Sequence, residues 1–470
     1  MALTKVSHSM IEGGNYHVSD YGAVGDGSTD DSTSIQNALN ALKSNGGVLI
    51  FGNGLTYKCN SALELEATSG GDAGLRWSIQ GNNSELDFSS LTSGDAFTVG
   101  ADAQSNFQET GTIHIENLKM LGAEPGATMT GTPASSTVGL LIQYAHNVSM
   151  NNFQAKRFHT AIKTGFVFPL TATACNVNNN YVGLHMQNSS NLHQWINLAA
   201  KECRYSVVIA DDGLFGGGRI DTNTFYGLWT EGSQVGIEMD TGDGSSIPRI
   251  RNIQFINGFY GAVYDEFRLA TTYDFASYST RGADRSAQIY GIKIDGGRPK
   301  SSGLSASSAL IYCGNGTCEA DFDIPYLSDT NALVGTPKAG QILFRDQVDF
   351  GRDWDRFIYD NSGSIIRKIN NHNGTEVTIS SGVISVGTDF HLVDTEGDAS
   401  TDDLDTINDG FIGMTLLLKA ANDARTVVIK DSTGNIKTNG DFSLTHTDDT
   451  IALIYDGTNW LEISRSDNAS

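Results

Sequence analysis

Two carboxylate pairs recur at an interval of 29 residues, Glu202 with Glu231 and Asp211 with Asp240. A pair of carboxyl groups flanking a glycosidic bond is what its hydrolysis requires. One, protonated, releases the leaving oxygen, and the other attacks or activates water, with about 5 Å between them for retention and more for inversion. Trp195, Tyr226 and Trp229 fall in the same stretch, and aromatic rings are flat apolar platforms for the C–H faces of sugars. Glu238 and Asp265 add acidic contacts, and Arg268 a cationic one. Elimination beside a uronate needs a basic group instead, for which Lys156, Lys293, Arg219 and Arg268 are available. The acidity of the region opposes a polyanionic substrate, which favours hydrolysis. Each residue also has a plain structural reading: aspartates as turn formers, aromatics as core, glutamates as solvated corners. His185 falls beside the acidic flank, with a surface imidazole as its alternative. There is no G-x-S-x-G elbow, Walker loop, H-E-x-x-H or paired C-x-x-C, so serine, nucleotide and zinc mechanisms lack support.

Such pairs act together only if the chain brings distant intervals into contact, as a solenoid does. Small residues flanked by apolar ones recur at Gly139, Ala161, Gly183, Val207, Gly236, Gly261 and Gly291, at intervals of 22, 22, 24, 29, 25 and 30. Their neighbours, Val182 and Leu184 for example, read inward, and Ile142, Met186 and Met239 continue the same strand face three positions on. Four positions after the anchors the outward column is Gln143, Gly165, Gln187, Asp211, Asp240, Asp265 and Asp295. Coils stacked like parallel strands lie about 4.8 Å apart, so these aspartates are expected to form a carboxylate ladder with mutually raised pKa values. Glu202 and Glu231, five before their anchors, fall on adjacent coils. The longer intervals leave room for loops, among them Gly216-Gly217-Gly218 and Arg268 to Arg285, that could wall a binding face.

The start of the chain explains how such a stack is closed. Asp30 and Asp31 offer N-cap carboxylates, Ile35, Ala38, Leu39 and Leu42 carry helical apolar spacing, and Gly46 supplies a stop before the apolar strand Val48 to Phe51. Asp20-Tyr21-Gly22-Ala23-Val24-Gly25-Asp26-Gly27, followed by Thr29-Asp30-Asp31, Ile35-Gln36 and Gly46-Gly47, resembles the N-terminal signature of the pectate-lyase superfamily. The resemblance implies an all-β right-handed parallel β-helix capped by this helix, as in pectinases and phage tailspikes, with Asp26, Asp30 and Asp31 serving architecture.

After Asp360 a junction rich in Asn and Gly leads to short alternating runs such as Met414 to Leu418, Thr426 to Ile429 and Thr450 to Tyr455, which read as an antiparallel β domain. Its last stretch, Ile451 to Arg465, resembles C-terminal domains of phage tail proteins. The expected organisation is a tail at 1–16, a capping segment at 17–60, the catalytic or receptor-binding β-helix at 61–362 and a trimerisation or carbohydrate-binding domain at 370–470. The two resemblances together imply a homotrimeric tailspike of the virion tail that cleaves host surface polysaccharide and joins other tail proteins through its N-terminus. Polysaccharide lyase and non-catalytic receptor binder are the alternatives. No cofactor is required; a calcium ion is an option, since seven carboxylates lie between Asp394 and Asp409, although their spacing is not that of a calcium loop. Net charge is −24, from 54 acidic and 30 basic residues, which argues against nucleic acid and anionic membranes as partners. The opening residues lack the pattern of a signal peptide, and no apolar run is long enough to span a membrane. Five cysteines do not make a disulfide framework; Cys313 and Cys318 bracket a turn and could be bridged or simply packed.

Overall fold

The computed structural model describes residues 14–68, 75–124, 133–187, 189–210, 219–240, 249–262, 265–269, 288–295, 298–299, 309–313, 317–323, 333–335, 342–344, 375–410 and 412–468. The chain divides into two units at Arg352/Asp353, outside the described residues, as is the expected junction after Asp360.

The first unit begins with helix Ser32–Asn45, which buries Ile35, Ala38, Leu39 and Leu42, the face read from the sequence, and ends at Gly46. Asp31 occupies the N-cap position, but its carboxylate does not cap the helix. It accepts the N–H groups of Val24 at 2.7 Å and Gly25 at 3.0 Å, closing the glycine-rich turn, while Asp30 accepts the Ser32 N–H. Asp26 holds its own turn through Ser28 and Thr29. These hydrogen bonds pull the Asp26 carboxyl well below the usual carboxylate range.

Beyond the helix the chain is a parallel β-helix. Its strands form a ten-stranded and a twelve-stranded parallel sheet, and a third side made of a five-stranded sheet continued by single bridges Gln154↔Asn176↔Ala199↔Trp229↔Phe259. Each coil visits the ten-stranded sheet, then the twelve-stranded sheet, then the third side. The corner into the third side is one residue deep. Asn117, Asn152, Ala174, Asn197, Gly227 and Asn257 occupy it in successive coils with φ between 49° and 65°. Left-handed backbone is costly for most L-residues, and Asn or Gly tolerates it best, which accounts for five of the six. Their N–H groups bond to the next coil, as in Asn197 to Tyr226 O at 2.7 Å and Gly227 to Ile256 O at 2.8 Å.

Inward residues stack into one core. Trp195, Phe225 and Phe255 lie in register, with ring centroids 6.5 and 4.9 Å apart and planes 12° from parallel. Gly139, Ala161, Gly183 and Gly236 do share one column, but Ser206 stands in it where Val207 was expected, and Glu266 follows Gly236. Gly261 lies outside that column, and Gly291 is a left-handed residue of a strand in the twelve-stranded sheet. The one-residue displacement reverses the face of everything counted from Val207. A Cβ on Gly183 would lie 2.6 Å from the Ser206 carbonyl oxygen and 3.1 Å from Ala200 and Val177 side chains. Gly183→Ala is therefore expected to cost about 1–3 kcal/mol through overpacking, read as a lowered melting temperature; unchanged melting would show the contact yields freely.

In the second unit Leu416, Leu418, Ile451, Leu453 and Trp460 are fully buried, and Trp460 Nε1 donates to Ile407 O at 3.1 Å. The expected antiparallel order holds for strands Thr415–Ala420, Thr450–Tyr455 and Trp460–Ser466. The domain nevertheless opens with parallel pairs, Thr375–Thr378 with Phe390–Asp394 and the latter with Thr415–Ala420, so its main sheet is mixed. Alternation specifies a half-buried strand but not its partner's direction. The acidic run is held by Arg425, which pairs with both Asp394 and Asp398, and by Asp402, which accepts two backbone N–H groups. Among the described residues no group of three or more His, Cys, Asp or Glu side chains could hold a metal ion.

Candidate functional site

The predicted residues separate into three places. The first is the third side of the coils, where Trp229 (40% exposed) stands two residues past the left-handed corner Gly227, which follows Tyr226 (41% exposed). Trp229 Nε1 donates to Glu231 Oε2 at 3.2 Å, and Lys201 Nζ lies 4.0 Å from the Trp229 ring centroid. A cation over the ring face and a carboxylate at its edge match the ring's negative face and positive rim. The Glu202 N–H bonds to Glu231 O at 3.1 Å, so the two glutamates do sit on adjacent coils. They are staggered: the bridge Ala199↔Trp229 puts Lys201 in line with Glu231. Glu202 is a left-handed corner residue (φ 54°), equivalent to Arg157, Asn179 and Gly232 of neighbouring coils. The displacement that moved the anchor from Ser206 to Val207 made Glu202 look like the register partner of Glu231.

The second place is the outward face of the ten-stranded sheet, where Lys163, His185, Val208, Glu238 and Arg268 form one row. An outward row should be wet, yet His185, Val208, Glu238 and Arg268 are all buried. The surface imidazole expected of His185 is thus overturned. Glu238 and Arg268 form an ion pair, Nη1 to Oε2 3.8 Å, with both side chains at 1% exposure or less. Their assignment as accessible substrate contacts is corrected, because a buried guanidinium and carboxylate compensate each other's lost hydration. Beside them Glu266 is buried over Gly236, where no Cβ would fit, accepting from Thr230 Oγ1 at 2.6 Å and Ala262 N–H at 2.8 Å. Burial raises its carboxyl to about 7, with those hydrogen bonds pulling the other way.

The third place is the interior. Trp195 is fully buried in the stacked aromatic column, which corrects its reading as a sugar platform. Two residues earlier on the same face is His193, also buried, bonded to Val167 O at 3.0 Å and lowered by burial to about 4. A polar residue at an inward position disguised the strand's core face.

The aspartate ladder does not form. Ala210, not an aspartate, pairs with Asp240; Asp265 pairs with Val235; and Asp295 lies in the other large sheet, opposite Ile256. Asp211 and the segments Gly216-Gly217-Gly218 and 270–285 lie outside the described residues, as do the side chains of Asp240 and Asp265. Cys313 and Cys318 fall on strands of different sheets, and their side chains are likewise outside. Lys201 and Glu266 were missed. Counting from the Asn and Gly of the corner, at 152, 197, 227 and 257, would have set the register correctly and found Lys201 opposite Glu231.

No protein-family model matches this chain, and no curated protein does. Among solved structures, it is similar to PfbA, a surface adhesin of Streptococcus pneumoniae, at 12% identity over 74% of this chain and 100% of that one, TM-score 0.42. It is similar to the endo-xylogalacturonan hydrolase of Aspergillus tubingensis at 18% identity, over 70% and 95%, TM-score 0.42. It is also similar to a tailspike protein of E. coli bacteriophage HK620 in complex with a pentasaccharide, at 10% identity, over 88% and 81%, TM-score 0.41. The chain is a parallel β-helix protein with a separate β domain, and its structural neighbours include phage tailspikes and a glycan hydrolase.

Proposed function

We propose that this chain is a phage tail protein that cleaves bacterial surface polysaccharide by hydrolysis, with Glu231 and Glu202 as the paired carboxylates and Trp229 and Tyr226 as sugar platforms. The observation that carries this reading is the exposed Trp229 ring, tied at its edge to Glu231 and faced by Lys201. A sugar stacked on an exposed ring has its equatorial oxygens at the ring's rim, where Glu231 stands. The N-terminal signature and the β-helix it implied are consistent with this role, although a scaffold alone does not fix chemistry. A homotrimer in the virion tail, joined to other tail proteins through the N-terminus, completes the proposal. No metal is required by it, and a calcium ion is compatible with it.

Lys201 in line with Glu231 favours β-elimination as the second reading, since a basic group beside a bound uronate could take its proton. Incubation with purified capsular polysaccharide and lipopolysaccharide, followed by sizing of the products, separates these readings. Hydrolysis predicts shortened chains without new ultraviolet absorbance, and a loss of about 10²–10⁴-fold in Glu231→Gln or Glu202→Gln at unchanged melting temperature. Absorbing, unsaturated products would replace hydrolysis by elimination. Bound but intact polymer would make the protein a receptor binder.

A further inference from the structure

Resting on the reading that the chain engages polysaccharide, we infer that the outward face of the twelve-stranded sheet, from strand Leu170–Thr173 to strand Arg249–Ile256, is a binding strip for an uncharged segment of the glycan. Thr171, Gln194, Thr224 and Gln254 stand in register on four successive coils. Three are exposed and Thr224 is half-buried. Among the described residues none of their side-chain groups is used in a hydrogen bond, so a row of hydroxyl and amide donors and acceptors faces outward. The next outward row, Ile196, Tyr226 and Ile256, is apolar, and Tyr226 presents its ring. Past the corner, Trp229 and Phe259 meet edge to face at 5.8 Å and prolong the apolar row.

A hydroxyl–amide row beside an apolar row complements a sugar chain, whose units carry hydroxyls on their edges and C–H groups on their faces. Repetition at the coil spacing of about 4.8 Å lets one chain use several rungs. Charge decides the class of sugar. Over these four coils neither row contains an ionisable side chain other than the Tyr226 phenol, in a chain with 54 acidic and 30 basic residues; Lys293 and Asp295 continue the two rows on the next coil. The nearest charges along one edge, Asp221 and Arg251, are paired with each other at 2.5 Å. A uronate carboxylate pressed on these four rungs would lose hydration without gaining a cation from them, since Lys201 over Trp229 and Lys293 in register with Gln254 stand beyond their ends, whereas neutral hydroxyls exchange water for amide and hydroxyl partners.

The test is affinity electrophoresis of the whole chain in gels containing purified bacterial polysaccharides, one set free of uronate and one rich in it. Retardation by uronate-free polymers is expected. Tyr226→Ala, and Gln194→Ala combined with Gln254→Ala, should each weaken it about tenfold, the loss of a stacking ring or of two hydrogen bonds, at unchanged melting temperature. Equal retardation of these variants, or retardation only by uronate-rich polymers, would overturn the strip and leave the polysaccharide reading standing. No retardation by any polymer would overturn both. If Tyr226→Ala instead dissociates an oligomer in sedimentation, the face is an interface between copies and the inference fails.

Discussion

Arg268→Ala is expected to destabilise the β-helix by about 3–5 kcal/mol, because it leaves the Glu238 carboxylate buried without its counter-ion. Both partners are enclosed on the outward face of the ten-stranded sheet, with Val208 beside Glu238 on the adjoining coil of the row they share. The reverse experiment is equally informative. Arg268→Met combined with Glu238→Leu removes both charges at similar volume, and its stability should return to within about 1 kcal/mol of the parent or exceed it. Urea unfolding of the two variants measures this directly. A single variant that loses less than about 1 kcal/mol would mean that water reaches the pair, and a stable variant that no longer binds glycan would restore Arg268 to the substrate contacts.

Glu266 gives the second large effect, this one dependent on pH. Burial raises its carboxyl from 4.5 to about 7 in the folded chain. The folded state therefore holds the proton more tightly than the unfolded state. Its stabilising contribution is fully present below about pH 4.5, declines as pH rises and is gone above about pH 7, a change on the order of 3 kcal/mol. Tyr260, buried against the same carboxyl, is pushed up by burial first and by Glu266 second, so it stays neutral throughout. Glu266→Gln removes the charge and keeps an acceptor for the Ala262 N–H, while the oxygen that accepts from Thr230 Oγ1 is replaced by an NH2 group that donates to it. The difference in unfolding free energy between parent and variant should then shift by about that amount between pH 5 and pH 8, in favour of the variant at pH 8. A difference equal at the two pH values would place the Glu266 titration elsewhere.

Local rules made the capping helix legible: its apolar face and its stop at Gly46 follow from spacing alone. The coil stack was legible in outline for the same reason, since inward rows keep their parity from Gly139 to Gly183. Register was not, because a small residue between apolar ones describes Ser206 and Val207 almost equally well, and a one-residue slip turns Ala210 and Asp211, or Lys201 and Glu202, into each other. Trp195, Tyr226 and Trp229 read alike in the sequence, as platforms or as core; the structure exposes Tyr226 and Trp229 and buries Trp195, which shares its inward face with His193. Burial of Glu238 and Arg268 was out of reach in principle. Alternation assigns them to the outward face, correctly, but whether an outward face meets solvent depends on contacts far away in the sequence.

The one-residue corner fixes how this fold can be edited. At 117, 152, 174, 197, 227 and 257 each coil spends a single left-handed residue to turn, so an insertion there would exchange inner and outer side chains in the strand that follows. The opposite transition, from the ten-stranded to the twelve-stranded sheet, has no such constant. Two residues separate the strands that end at Val167 and begin at Leu170, six separate Met186 from His193, and eight separate Ala210 from Arg219 and Asp240 from Arg249. Length is free at one corner and frozen at the other. Diversification by recombination or by deliberate grafting should therefore succeed at that variable transition, where whole segments can be exchanged between coils while the indexing column keeps every rung in phase.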